Sequence, residues 1–292
     1  MTKKRKISKL AKLGIWILAI LASFSLGIAY QRVETQKEKA LKEAVADKSD
    51  VLPEAGFDLP ISWGDLGPRL ISAGVIDEER FIETVNLNSD EEKILREGSD
   101  AKVHIDADNG QFVVDLLWAV GLAQKSIVYD EGPLGKEYKN EQGNFASTGG
   151  WNLAKGEATD YLNKFDLIPL TEGQQEKVAK ISKNVYRPCC GNSTWFPDCN
   201  HGMAALAAIE MMVANGVSDE EIYRNILKLN SFWFPGTYTT TATYFLRQGV
   251  PWDKVDAKAV LGKEFSSAQG AAEIAKKVNP EPQGQGGSGC GA

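Results

Sequence analysis

Residues 186–235 read YRPCCGNSTWFPDCNHGMAALAAIEMMVANGVSDEEIYRNILKLNSFWFP. Their second half decides the fold class. Asn200 to Ala214 is an apolar run of good helix formers, and Gly216 supplies its stop. Ser218-Asp219-Glu220-Glu221 has the spacing of a capping box, in which a hydroxyl and a carboxylate satisfy the first free N–H groups of a helix. That helix is predicted to run to about Leu229. Phe232, Trp233 and Phe234 before Pro235 form an aromatic plug suited to a core.

The same helical signals recur in both directions. Toward the C-terminus, Thr239–Gln248, Asp256–Gly262 and Ser267–Val278 are predicted as short helices. Toward the N-terminus, Thr171-Glu172-Gly173-Gln174 caps a helix that Pro188 stops. Glu157 to Phe165 is predicted helical. Asp108 to Gln124 is apolar nearly all round and is the expected buried central helix of its half. Three further helices are expected upstream. One starts at Asp65 and stops at Gly74, one spans Asp77–Val85, and one opens at Ser89-Asp90-Glu91-Glu92 and ends at Gly98. With no convincing run of strands and no internal repeat, the expectation is all-α. Between 126 and 152 the chain is rich in Gly and polar residues. Its segment 143–151 reads as a glycine turn with two aromatics tucked into the core, a ligand loop being the other reading.

The N-terminus has a different character. Residues 1–12 carry six Lys or Arg and no acid, so the rest of the 292-residue chain has a net charge of −12, six more negative than the −6 of the whole. An acidic body excludes nucleic acid as a partner, because phosphate binding needs a basic face. Leu13 to Tyr30 is eighteen residues without a charge, the lower limit for a membrane-spanning helix, and the basic flank would keep the head cytoplasmic. The expectation is an uncleaved single-pass anchor at 13–30 in the cell membrane, a cleaved signal being the rival. A charged stalk (31–50), a helical domain (51–170), a cysteine-cluster helical domain (171–279) and a flexible Gly-rich tail (280–292) would follow, all outside the cytoplasm.

The candidate chemistry lies in the first half of the quoted stretch. Cys189, Cys190, Cys199 and His201 fall within thirteen residues. Adjacent cysteines have Cα atoms about 3.8 Å apart, below the usual disulfide window, so pairing of one of them with Cys199 is easier than a vicinal bridge. Cys199 stands at a predicted helix start, where free N–H groups stabilise a thiolate. Asp198 is the candidate cap and would oppose that shift. Three readings stay open. Cys189, Cys190, Cys199 and Cys290 could perform thiol–disulfide exchange with another protein's thiols. Cys189, Cys190, Cys199 and His201 could form a Cys₃His site for zinc or copper. The cluster could also be purely structural. His104, in AKVHIDADNG, reads as part of a solvated loop or cap.

Asp198-Cys199-Asn200, Gly216-Val217-Ser218-Asp219-Glu220-Glu221-Ile222 and the aromatic end Phe232–Pro235 resemble the CcmH/NrfF-type thiol proteins of bacterial cytochrome c maturation. The resemblance covers under a fifth of the chain. It departs at the cysteines, which are adjacent here and separated by two residues in that family. It implies a thiol–disulfide role for Cys189 and Cys190 and a local three-helix fold.

Overall fold

The computed structural model describes residues 9–279. The basic residues before position 9, and Cys290 with the tail from position 280, lie outside the described residues. In chain order the elements are α1 (Lys9–Glu43), α2 (Lys48–Val51), β1 (Phe57–Gly64), α3 (Leu66–Ala73), α4 (Glu78–Val85), α5 (Ser89–Glu97), β2 (Ser99–Ile105), α6 (Gly110–Ala123) and α7 (Ile127–Glu131). Then come α8 (Pro133–Lys136), α9 (Ala146–Gly149), α10 (Glu172–Ser182), α11 (Asn200–Ala214), α12 (Asp219–Trp233), α13 (Pro235–Leu246), α14 (Ala257–Val260), α15 (Lys263–Ser266) and α16 (Ala268–Val278).

Two helices organise the rest. In α6 every residue from Phe112 to Ala123 is buried, and in α11 every residue from Gly202 to Val213. They lie against each other at Gly121, where an added Cβ would collide with the carbonyl oxygen of Met203. Glycine lets the two backbones approach there, so any larger residue would push the pair apart. One buried apolar cluster extends from this pair to Leu59 and Trp63 of β1, Leu70 of α3 and Phe81 of α4 on one side. On the other it takes in Val178 and Ile181 of α10 and Ile222 and Ile226 of α12. The expected domains 51–170 and 171–279 both contribute to it.

Local signals account for most helix ends. Gly74, Gly98 and Gly216 all have positive φ at or next to the ends of α3, α5 and α11. Thr171 and Gln174 form the predicted capping box, and Ser218 accepts the N–H of Glu221. The box that opens α5 uses Asn88 and Glu91, one residue earlier than predicted, because the amide oxygen of Asn88 takes the N–H groups of both Asp90 and Glu91. Glu157–Phe165 forms only a 3-10 turn over Ala158–Asp160. The α12 helix runs four residues beyond its predicted end, to Trp233.

The all-α expectation needs correcting. β1 and β2 pair antiparallel, with Phe57 opposite Ile105 and Asp58 opposite His104. Leu59, Ile61 and Trp63 point inward on β1, and Val103 and Ile105 on β2. The alternation was hidden by Pro60 in one strand and by SDAK in the other. A two-stranded sheet tolerates both, since each strand is an edge.

The transmembrane expectation is also overturned. Among the described residues, no helix is long and apolar enough to cross a membrane. α1 continues without a break into the charged run to Glu43. The transmembrane anchor and the single-pass topology at 13–30 are therefore set aside. Trp16, Leu21, Phe24 and Leu26 of α1 are exposed. Its far end is tied to the body where the Ala46 N–H donates to Thr243 Oγ1 at 3.1 Å and Arg247 Nε to the Ala44 carbonyl at 3.0 Å.

Candidate functional site: a three-sulfur cluster at the start of α11

The loop from 183 to 199 folds back on itself before α11 begins. The N–H of Thr194 donates to the Val185 carbonyl at 2.8 Å, and that of Trp195 to the Ser182 carbonyl at 3.1 Å. This doubling carries Cys189 and Cys190 against Cys199. The three Sγ atoms all lie within 4.8 Å of one another, with Cys189 and Cys199 at 3.3 Å. Cys199 is buried, and the other two are half-buried. All three are free thiols.

Arg187 holds the loop together and is fully buried. Its Nε donates to Cys199 Sγ at 3.1 Å, its Nη1 to the Asn192 carbonyl at 3.1 Å, and its Nη2 to the Phe196 carbonyl at 3.1 Å. Nη2 also pairs with the Asp198 carboxylate. The second oxygen of Asp198 accepts from Asn192 Nδ2 at 2.7 Å. The charge of a buried guanidinium is thus met by a carboxylate, a sulfur and two carbonyls, the condition under which burying a cation is tolerable. Gly202 lies under the guanidinium plane, where an added Cβ would sit 2.6 Å from Cζ. Asp198, expected as the helix cap, serves Arg187 instead. The N-cap position belongs to Cys199, whose side chain caps nothing.

The electrostatics separate the three sulfurs. Hydrogen bonds from the Cys189 and Cys190 thiols, then the charge of Arg187, hold the Cys199 thiol well below its ordinary range despite burial. Cys189 moves the other way, through its hydrogen bonds to Cys190 and Cys199 and through burial. Negative charge therefore concentrates on the innermost sulfur.

The other expected site residues separate from this cluster. Among the described residues, the group of ligand atoms contains Cys189, Cys190 and Cys199 and does not include His201. The His201 ring packs against Phe234 at 4.5 Å and Trp233 at 5.7 Å between centroids. Its Nδ1 is buried with no partner, and burial pushes its pKa down to about 4, so the ring is neutral. Cys290 lies outside the described residues. His104 sits exposed on β2 with Nδ1 2.8 Å from Asp58 Oδ1, on a strand and not in the expected loop.

The glycine-rich segment 143–151 buttresses the site. The Ser147 N–H donates to the Asp198 carbonyl at 3.2 Å, and Phe145 meets Phe196 edge-on at 5.3 Å. Tyr138 stacks on the same Phe196 ring, also at 5.3 Å. Trp151 is buried, with its indole N–H on the Val75 carbonyl at 2.8 Å.

Sequence reasoning missed Arg187. The available signal was that it is the only Lys or Arg between Lys183 and Arg224, set two residues before a cysteine pair. Comparison of the chain with protein-family models, with curated proteins and with solved structures finds no match.

Proposed function

We propose that the protein binds a soft metal cation, copper(I) or zinc, through Cys189, Cys190 and Cys199. The observation that carries this reading is the convergence of three sulfurs within 4.8 Å of one another. Three thiolates at about 2.3 Å from a common metal stand roughly 3.8–4.0 Å apart, so small side-chain shifts complete the set. Copper(I) accepts three thiolates. Zinc would take water or another ligand in a fourth position. Two half-buried sulfurs leave a path for a bare ion. The test is titration of the reduced full chain with copper(I) or zinc. One ion should bind per chain, and each of Cys189→Ser, Cys190→Ser and Cys199→Ser should weaken it by at least tenfold. Absence of binding in the reduced protein, or undiminished binding in the triple Ser variant, would overturn the reading.

Thiol–disulfide exchange is the second reading, favoured by the 3.3 Å between Cys189 and Cys199 sulfurs. It ranks behind because the charge rests on the wrong sulfur. The attacking species in exchange is an accessible thiolate. Here the buried Cys199 carries the charge, while Cys189, which a partner could reach, keeps its proton. Rapid alkylation of Cys189 or Cys190 at pH 7 would reverse this order.

A further inference from the structure

We infer that Arg187 sets the charge class of the bound species, making the site selective for mono- and divalent thiophilic cations over a trivalent metalloid. This rests on the metal-binding reading above. The guanidinium is the only side-chain cation that the described contacts bring to the sulfurs, and it reaches Cys199 Sγ directly at 3.1 Å. Buried and permanently charged, it favours whatever leaves negative charge on that sulfur.

The candidate species differ in that charge. A divalent cation binding the Cys199 thiolate and displacing the two remaining thiol protons gives a tris-thiolate complex of charge −1, with two protons released. A monovalent cation bound the same way gives −2. Arsenite, As(OH)₃, condenses with the two thiols and the Cys199 thiolate, taking up one proton from water, to a neutral As(SR)₃ and three waters. Only the first two retain an anionic sulfur for the Arg187 Nε–H. Asp198 works in the opposite sense. It already occupies Nη2 and places a second negative charge beside the complex. Arg187 is thus a positioning and specificity-determining residue that acts through Cys199.

The test compares affinities of the reduced full chain for cadmium(II), followed by its thiolate charge-transfer absorption, and for arsenite, followed by competition. In Arg187→Gln the cadmium affinity should fall roughly tenfold to a hundredfold, the range of a charged hydrogen bond, while arsenite affinity changes by less than about threefold. Arg187→Lys should recover part of the loss. Asp198→Asn should shift the cadmium-to-arsenite ratio the other way, and it decides the matter if Arg187→Gln does not fold. Equal loss of both ligands in Arg187→Gln, or an unchanged or lowered ratio in Asp198→Asn, would overturn the inference and leave the metal site standing. Failure of wild type to bind either ligand would overturn both.

Discussion

The two ends of α11 bury charge-bearing groups in opposite ways. At its start, Arg187, Asp198 and Cys199 form a closed network in which the guanidinium, both carboxylate oxygens and the innermost sulfur have partners. Three turns on, Glu210 is fully buried on the same helix, and neither of its oxygens has a hydrogen-bond partner. Burial pushes its pKa up to about 8, and the nearby Ser126 hydroxyl offsets little of this. The first end keeps its charges because they are paired. The second gives its charge up and stays neutral, as an unpaired buried carboxyl must. His201, the second residue of the helix, follows the second rule from the cationic side.

The largest expected effect breaks the paired end. Arg187→Met leaves the buried Cys199 and the half-buried Asp198 without their cation, which should cost about 3–5 kcal/mol of stability in urea denaturation. A loss under 1 kcal/mol would mean that water already solvates this network.

The unpaired end should be revealed by pH. The Glu210 pKa is raised in the folded state, so its contribution is intact below the ordinary value of 4.5 and is lost as pH rises from there toward about 8. Wild type should lose about 2.5 kcal/mol from this group between pH 5 and pH 7, and Glu210→Gln should remove that part of the slope. Asp115 of α6, pushed up to about 6 by burial, adds a smaller loss of the same sign. A Glu210→Gln profile parallel to wild type would show that the carboxyl finds a partner.

The smallest effect sharpens the comparison from the acid side. The His201 pKa is lowered, so its contribution is complete above the ordinary value of 6.5 and is lost as pH falls through the window to about 4. His201→Phe keeps a ring against Phe234 and should spare about 2 kcal/mol of the loss between pH 6 and pH 4.5. An unchanged acid limb would place the imidazole in contact with solvent.

Much of the helical framework was legible because its signals are local. A glycine with positive φ after α3 or α5, or the Thr171–Gln174 box before α10, acts within one turn and needs no distant partner. The strands were missed because their stability is non-local. FDLPISWG and SDAKVHI are unremarkable alone and become strands only when Leu59, Ile61 and Ile105 find the core. At the site, the cysteines were visible by concentration. The separation of His201 from them was not, because two residues into a helix a side chain can point toward the cluster or away from it.

The sequence by itself determined where most helices start and stop, that α6 would be buried, and which residues could ligate a soft ion. Spacing within a few residues and the apolar content of each segment are enough for that. Only the tertiary structure decided that three sulfurs converge, that His201 faces aromatic rings, and that a lone arginine is drawn inside to hold the charge. Those outcomes depend on the loop folding back onto the start of α11. That fold is held by backbone hydrogen bonds and a guanidinium whose partners are up to twelve residues away.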